Sequence, residues 1–350
     1  MSAPLRIFYD ITYKCTEKCN HCFTNSELKD PNELTKSEKF SIVDQMAAMG
    51  AFRLSIAGGE PLIEPDFFPL IEYAAKSGVD ISFSTSGTVL TVDRARRLND
   101  SNIKTVNVSI DGFDEESYGK VRGVGRFKYM LKGIDVLKKH YNGNVAAKCT
   151  ITSTNCSKLI DIIKLAESLS LHSVKFNCVR EAGRAATNGT NLLPTRNEYI
   201  NAVKSVAEYI KGHSLNSIRV ILPVNPFVDQ SEQGDFMDDL GFGCYAGKES
   251  FCINPVGQIT PCSSFGRDTY VDGSVRTTSL QEAWLNGKSI SIFRSTNGSA
   301  ECNSCSLYSG CRGGCYLRAF KSYGSIDEID PYCYAHEPVV QEKILFMLKK

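Results

Sequence analysis

The sequence predicts an α/β protein in which a partial (β/α)6-type barrel is followed by a cysteine-rich C-terminal extension. Short apolar, β-branched segments alternate with amphipathic segments from residue 5 to residue 222. After about residue 225 this alternation stops, and cysteine becomes dense towards the C-terminus. Because strands that alternate with helices form parallel sheets with the helices outside, the first part is expected to be a full or partial barrel. In such barrels the reactive groups lie on loops at the carboxyl ends of the strands.

The elements of the first part are predicted from their apolar periodicity. Strands are expected at 6–11, 52–57, 79–84, 104–110, 145–151 and 173–178, with a further strand at 217–222. Helices are expected near 36–49, 66–77, 91–99, 127–140, 157–169 and 195–211. These strand–helix units make up a predicted first domain of residues 1–225.

Residues 226–350 are predicted to form a second domain with little regular structure. Residues 224–247 have a loop-like composition, and 250–261 is expected to be a hairpin that turns at Asn254–Gly257. A short helix is predicted at 278–287 and a C-terminal helix at 337–349, on either side of a cysteine-dense stretch at 302–333.

Composition and charge are those of a globular protein, and we expect no nucleic-acid or membrane partner. Forty basic and 39 acidic residues give a formal net charge of +1, so no net field attracts polyanions. The N-terminus has no apolar signal segment, and no apolar run reaches the roughly 18 residues of a membrane span. We expect a cytoplasmic protein. The chain starts almost at its first strand, so no N-terminal peptide-recognition domain is expected.

Cysteine is the unusual part of the composition, with 14 in 350 residues. Disulfide scaffolds are mostly short and secreted, and neither description fits this chain. Metal or cluster binding in a reducing compartment is therefore the favoured interpretation.

Cys15, Cys19 and Cys22 follow the first predicted strand with the spacing C-x3-C-x2-C, and Phe23 comes directly after them. Three thiolates can bind three irons of a [4Fe–4S] cubane and leave the fourth iron open to another ligand. Two alternatives remain: three unrelated buried cysteines, or a zinc site that takes His21 as its fourth ligand.

Glycine and polar motifs end several of the next strands. In chain order they are Gly58-Gly59-Glu60-Pro61, Ser84-Thr85-Ser86-Gly87, Ser109-Ile110-Asp111-Gly112 with Arg122-Gly123 after it, and Gly183-Arg184. Taken alone, the first of these motifs is also compatible with an ordinary strand-to-helix turn.

Together, these motifs and the cysteine motif resemble the radical SAM superfamily, whose [4Fe–4S] cluster binds S-adenosylmethionine (SAM) through its open iron. The resemblance implies a partial barrel and a reaction in which an electron from the cluster cleaves SAM to a 5′-deoxyadenosyl radical. The SAM contacts that it implies fall on Gly58, Gly59, Glu60, Ser84, Ser109, Asp111 and Arg122.

In that family the glycine motif, through its backbone and Glu, meets the SAM amino group, and the Ser-x-Asp motif lies near the ribose. The Arg pairs with the SAM carboxylate, which suits a guanidinium fork. The alternative for Arg122 is an exposed loop charge. The third strand-end motif departs from the family pattern, because Ser86 stands where the family often has Asn.

A second cysteine set resembles the seven-cysteine SPASM extension, which carries two auxiliary [4Fe–4S] clusters beside a radical SAM barrel. Its spacing is C-x12-G-x4-C, then C-x2-C-x5-C-x3-C, then a final Cys. The resemblance implies an inner cluster on Cys244, Cys262 and Cys315, and an outer cluster on Cys302, Cys305, Cys311 and Cys333. Two choices stay open for the fourth inner ligand: Cys252, or an iron open to substrate. A zinc ribbon is the alternative for 302–315.

Further cysteines are candidates for the chemistry itself. Cys149 and Cys178, on the fifth and sixth predicted strands, are candidate hydrogen-atom donors of the kind that an epimerase of this class uses. The ordinary alternative is a buried small side chain, and Cys156 opens a predicted surface helix. Ser263 stands where sulfatase-maturing relatives have a catalytic Asp, which argues against formylglycine formation.

The favoured function is a radical SAM maturase that cross-links, oxidises or epimerises a ribosomal peptide or protein. The alternative is a small-molecule dehydrogenase or epimerase acting on a sugar, aminocyclitol or nucleoside, favoured by the short length and the missing recognition domain. A third hypothesis is a zinc- or cluster-binding scaffold without catalysis. The family resemblance also implies a flavodoxin- or ferredoxin-type reductant.

Overall fold

The computed structural model describes residues 2–101, 103–187, 192–213, 218–222, 243–335 and 337. Its strands are β1 Arg6–Asp10, β2 Arg53–Ala57, β3 Asp80–Thr85, β4 Thr105–Ser109, β5 Asn144–Ile151, β6 Ser173–Cys178, β7 Arg219–Ile221, β8 Ser250–Ile253 and β9 Ile259–Thr260. Its helices are α1 Lys36–Met49, α2 Phe67–Lys76, α3 Val92–Asp100, α4 Glu115–Arg122, α5 Phe127–His140, α6 Leu159–Ser168, α7 Arg184–Thr187, α8 Arg196–Gly212, α9 Leu280–Asn286, α10 Lys288–Ser295, α11 Ala300–Asn303, α12 Tyr308–Cys311 and α13 Tyr316–Tyr323.

The chain forms two compact units that are interleaved along the sequence. The first comprises the described residues of 1–147, 182–190 and 245–295. The second comprises those of 148–181, 191–244 and 296–350. The predicted domain boundary near residue 225 lies outside the described residues and stays a prediction.

The first unit is built on a sheet with the strand order β4-β3-β2-β1-β8-β9. All neighbours are parallel except β8 and β9, which are antiparallel. The alternation expected of half-buried strands is present: Ile7 and Tyr9 of β1 are fully buried, whereas Phe8 between them is 37% exposed. Because β1 to β4 are parallel, their carboxyl ends are neighbours at one edge of the sheet. The strand-end motifs of the sequence lie at this edge.

The predicted hairpin is present, and its first strand does more than pair with β9. β8 also lies parallel to β1, with Ile7 opposite Phe251. All four of its residues are buried, as expected for a strand inside a sheet. The sequence predicted the hairpin but not this pairing, because a four-residue apolar run does not specify its neighbour.

The second unit contains the parallel pair β6–β7, with Ser173 opposite Arg219. Helix α6 packs against α8. Tyr199 of α8 stacks on Tyr332, with ring centroids 5.0 Å apart. β5 begins in the first unit and ends in the second.

The predicted strands and long helices are confirmed, with ends that differ by at most two residues. Helix α4 and the short helices α7 and α10 to α13 were not predicted, since most are too short to show a period. Residues 338–349 of the predicted C-terminal helix and residues 224–242 of the predicted loop fall outside the described residues. Among the helices that the structure describes, none is long and apolar enough for a membrane span.

Candidate active site

Three cysteines lie on the loop that follows β1, residues 11–26, which we call the cysteine loop. The Cys15 amide donates to the carbonyl of Glu27, the residue that follows the loop (3.2 Å). Burial raises the pKa of Cys15 to about 12 and that of Cys19 to about 11. Without metal these two thiols are therefore protonated near neutral pH, and iron binding has to release their protons.

Hydrogen-bond donors are directed at all three sulfur atoms. The Glu17 amide is 3.4 Å from Cys15 Sγ, and the Ser26 amide is 3.4 Å from Cys22 Sγ. The third donor is Arg122 Nη1, 3.7 Å from Cys19 Sγ. N–H groups around the sulfurs stabilise thiolate ligands and tune iron–sulfur clusters. Two donors from the loop and one from α4 therefore fit three thiolate ligands of a cluster.

The sulfur atoms are not gathered around a single point. In the part of the chain that the structure describes, no three Cys, His, Asp or Glu side chains form a group that could hold one metal ion. Cysteines of a cubane each bind a different iron, so they stand further apart than the ligands of a zinc ion.

The glycines at the end of β2 bring that segment against the cysteine loop. Gly59 N donates to the Thr12 carbonyl (2.7 Å), and Glu60 N donates to the Lys14 carbonyl (2.9 Å). A Cβ on Gly59 would stand 2.0 Å from the Lys14 carbonyl oxygen, and one on Gly58 would stand 2.6 Å from that of Thr12. Gly58 also has φ +117°, where side chains are strained. These glycines are thus required for contact with the loop itself.

Gly183 and Arg184 hold the same loop from another side. The Arg184 amide donates to the Cys22 carbonyl (2.8 Å), and its Nε donates to the Cys19 carbonyl (2.9 Å). Its Nη1 reaches the Ser26 carbonyl (3.0 Å). Gly183 has φ +55°, and a Cβ there would lie 2.4 Å from the Cys22 carbonyl oxygen. The sequence showed this motif but not its role.

Glu60 joins the ends of β2 and β3. It is 1% exposed. One oxygen accepts from Thr85 Oγ1 (2.8 Å) and Leu62 N (3.3 Å), and the other accepts from the amide and hydroxyl of Ser86 (2.8 and 2.7 Å). Burial raises the pKa of Glu60, while these hydrogen bonds oppose the rise. All four acceptor positions of the carboxylate are in use.

Arg122 lies between Asp111 and the cysteine loop. Its Nε donates to Asp111 Oδ2, and Asp111 is completely buried. Burial disfavours the guanidinium charge, but Asp111 and Cys19 outweigh it and hold the pKa of Arg122 above its ordinary value. His21 Nε2 is 3.5 Å from Asp111 Oδ2, and burial lowers the pKa of His21 to about 4. His21 is therefore neutral near pH 7.

The two other predicted SAM contacts lie at neighbouring strand ends. Ser109 is the last residue of β4, and Ser84 is the penultimate residue of β3. Ser84 is in register with Asn107, two residues before Ser109. Both serines are half-buried. All seven predicted contact residues therefore lie in the first unit, as does the cysteine loop.

A cavity of about 360 Å³ opens beside the cysteine loop. It is lined by Tyr13, Thr24, Asn25, Leu28, Asp30, Pro31 and Arg267. The Arg267 guanidinium lies 4.3 Å from the Tyr13 ring centre and pairs with Asp30 (2.8 Å). Leu28 is 78% exposed at its wall. The cavity therefore offers both apolar and hydrogen-bonding groups next to the loop.

Six of the seven SPASM-type cysteines lie in the second unit, and Cys262 lies in the first. Burial raises the pKa of Cys311 to about 12 and also raises that of Cys333. The Ala335 amide is directed at Cys333 Sγ (3.4 Å), and Ser299 Oγ lies 3.5 Å from Cys302 Sγ. Donors to sulfur are thus present here as well, which fits thiolate ligands of clusters.

The two candidate hydrogen donors differ in exposure, since Cys149 is buried and Cys178 is half-buried. Cys149 is 1% exposed, and Asn155 Nδ2 is 3.9 Å from its sulfur. Cys178 shares its face of β6 with the fully buried Val174 and Phe176. Burial raises the pKa of Cys178 to about 12, while a hydrogen bond from Arg318 acts in the opposite direction. A donor role for either residue stays a prediction.

Cys252, the alternative inner-cluster ligand, is buried in β8. Its Sγ lies 3.8 Å from the Pro261 carbonyl oxygen, next to Cys262. The assignment of this residue also stays a prediction. Ser263, which replaces the Asp of sulfatase-maturing relatives, begins a 3₁₀ turn directly after Cys262.

Comparison with known proteins agrees with this geometry. The family model of the Radical SAM superfamily matches residues 9–155, and that of the SPASM iron–sulfur cluster-binding domain matches residues 244–306. The two together cover more than half of the chain. The strand-end loop with its three cysteines thus belongs to an enzyme that uses a cluster and SAM. The chain is a member of the radical SAM superfamily with a SPASM domain.

Two named relatives span almost the whole chain. Mycofactocin maturase MftC of Mycobacterium ulcerans is 29% identical over 352 residues, covering 98% of this chain and 92% of the relative. An AdoMet-dependent heme synthase of Oleidesulfovibrio alaskensis is 28% identical over 346 residues, covering 93% and 86%.

Two solved structures share the fold. SuiB of Streptococcus suis bound to its precursor peptide SuiA has a TM-score of 0.76 at 19% identity, covering 96% of this chain and 76% of SuiB. The anSMEcpe structure with bound AdoMet has a TM-score of 0.77 at 19% identity, covering 99% and 98%. The predicted fold class is confirmed, and the cofactors are SAM, its [4Fe–4S] cluster and auxiliary clusters.

We expect Gly59→Ala to abolish the SAM-binding cluster, because its Cβ would displace the Lys14 carbonyl and the cysteine loop with it. The chain should lose about four irons on reconstitution while the auxiliary irons stay bound. Iron and sulfide analysis measures this. Gly212→Ala is the matched control, since nothing lies within 4 Å of its Cβ. Full iron content in Gly59→Ala would contradict the assigned role.

We expect Arg184→Gln to leave the cluster assembled but labile, because three hydrogen bonds to the cysteine loop are lost or weakened. Loss of iron to a chelator should be about tenfold faster than in the unmodified enzyme. Arg97→Gln serves as the control, since Arg97 pairs with Glu72 on the protein surface. Equal rates in both variants would refute the prediction.

Proposed function

We propose that this enzyme modifies a ribosomal peptide or protein by removing a hydrogen atom from an unactivated carbon. The observation that carries the proposal is the similarity to mycofactocin maturase MftC, which extends over 98% of this chain and 92% of the relative. The fold shared with SuiB, a protein solved with a precursor peptide, is consistent with it. The modification is a cross-link, an oxidation or an epimerisation.

We assign Cys15, Cys19 and Cys22 as the ligands of the SAM-binding cluster. When bound there, the cluster and SAM supply the 5′-deoxyadenosyl radical that takes the hydrogen atom. The chain orders the three thiolates through the glycines after β2 and through Arg184. It also directs a hydrogen-bond donor at each sulfur.

The SAM contacts are assigned from the positions of the strand-end residues. Arg122 uses Nε on Asp111 and Nη1 beside Cys19, and we assign Nη2 to the methionyl carboxylate. Glu60 already accepts four hydrogen bonds, so we assign it to ordering the turn after β3. We then assign the backbone of Gly58 and Gly59 to the SAM amino group. Ser84 and Ser109 are assigned to the rest of the cofactor.

The auxiliary ligands are assigned as the SPASM spacing implies. Cys244, Cys262 and Cys315 hold the inner cluster, and the outer cluster is held by Cys302, Cys305, Cys311 and Cys333. We also propose that a flavodoxin- or ferredoxin-type protein supplies the electron that cleaves SAM, and that the enzyme works in the cytoplasm. A substrate radical that is oxidised needs an acceptor for its electron, and the auxiliary clusters can serve as one.

The test incubates the reconstituted enzyme anaerobically with SAM, dithionite and the short peptides encoded beside its gene. We expect 5′-deoxyadenosine together with a peptide whose mass differs by a few hydrogens or by deuterium taken from D₂O. The Cys15→Ser/Cys19→Ser/Cys22→Ser variant should give neither product, because it cannot hold the cluster. SAM cleavage that leaves every peptide unchanged, while a small molecule is converted, would overturn the proposal.

A further inference from the structure

Asp330 contacts two cysteine-containing segments of the second unit, one at Cys315 and one at Cys333. It is 5% exposed and belongs to the loop that leads to Cys333. Its Oδ2 accepts the Cys315 amide at 2.7 Å. Its own backbone carbonyl accepts the Cys333 amide at 2.8 Å. One residue thus contacts the backbone of two cysteines that lie 18 positions apart in the sequence.

Arg318 of α13 fixes the orientation of this carboxylate. Its Nε donates to Asp330 Oδ1 at 2.8 Å, and its Nη2 donates to Oδ2. The fork therefore holds both oxygens in one plane. The guanidinium also lies 4.8 Å from the ring centre of Tyr332, which stacks on Tyr199. The Arg318 guanidinium is held by the aromatic ring as well as by the bidentate pair, so the Asp330 carboxylate has little freedom to turn.

Each carboxylate oxygen of Asp330 accepts a second hydrogen bond, in addition to the one from Arg318. Oδ1 accepts the Tyr332 amide at 3.0 Å, one residue before Cys333, while Oδ2 accepts the Cys315 amide. Every acceptor position of this carboxylate is used, and all four donors are N–H groups. An asparagine side chain in its place would direct its NH₂ group at two of these N–H donors. Because an NH₂ group cannot accept, those two hydrogen bonds would be lost. The site is therefore specific for a carboxylate.

Gly314 explains why the two segments approach so closely. It has φ +77°, and a Cβ there would stand 2.5 Å from the Asp330 side chain. The backbone just before Cys315 therefore packs directly on Asp330. On the other segment, Arg196 of α8 donates to the Cys333 carbonyl at 2.8 Å. Both cysteines are held by contacts outside their own loops.

We propose that Asp330 is a positioning residue shared by the two auxiliary cluster sites. The inference rests on the proposed assignment of Cys315 to the inner cluster and Cys333 to the outer cluster. The Asp330 carboxylate holds the amides of Cys315 and of Tyr332, the residue before Cys333, and its backbone carbonyl holds the amide of Cys333. One residue thus fixes the position of Cys315 against that of Cys333. Arg318 acts through Asp330, which it holds in place.

The test uses Asp330→Asn in a Cys15→Ser/Cys19→Ser/Cys22→Ser background, in which only the auxiliary sites can hold iron. Electron paramagnetic resonance of the reduced protein reports each remaining cluster separately from activity. We expect the signals of both clusters to change together, and iron to be lost to a chelator about tenfold faster from both sites. Glu328→Gln is the matched control, because Glu328 is an exposed carboxylate two residues away.

Two further variants separate positioning from general damage to the fold. Cys302→Ser removes a ligand assigned to the outer cluster alone, so it should alter one signal only. Arg318→Lys keeps the positive charge but loses the fork, and should change both signals less than Asp330→Asn does. If Asp330→Asn alters one cluster and spares the other, the proposal is overturned. If the Cys302 variant alters both, the cluster assignment fails instead.

Discussion

The structure depends on satisfying the peptide groups of one irregular loop. The cysteine loop has no helix or ladder of its own, yet three of its residues must keep their sulfur atoms in fixed places. Buried amides and carbonyls require partners, and here most of them come from distant segments. Gly59 and Glu60 reach the carbonyls of Thr12 and Lys14, and Arg184 reaches that of Cys19. The glycine motif after β2 and the Gly183-Arg184 motif thus act together to hold the cysteine loop in place.

This arrangement explains which residue types stand at each position. A Cβ on Gly58 or Gly59 would collide with the carbonyl oxygen of Thr12 or Lys14, so these two positions of the support require glycine. A single side chain that satisfies several carbonyls has to carry several donors in fixed directions, so Arg184 is used. Buried charges such as Arg122 are tolerated because Asp111 is directly beside them.

The sequence predicted the elements and the positions of the motifs far better than the contacts between them. Helix α1 has the capping box Thr35–Glu38, and its predicted bounds agree with the structure. Helix α4 was missed because it lacks a clear apolar period, although Asp114 marks its N-terminus as an N-cap that accepts from the Ser117 amide (2.8 Å). The glycines were expected to face a ligand, but the structure also shows them against the cysteine loop. Such pairings depend on tertiary packing, which spacing along a chain does not encode.

The distance along the chain between the cysteine motif and Arg184 has a consequence for biosynthesis. The hydrogen bond from Arg184 to the Cys19 carbonyl joins residues 165 positions apart. The cysteines leave the ribosome early, but their loop cannot be completed until more than half of the chain has been translated. During that interval the thiols are on an unsupported segment. A cluster bound before the sixth strand is translated would therefore lack the hydrogen bonds from Arg184 and would lose iron more readily than in the finished protein.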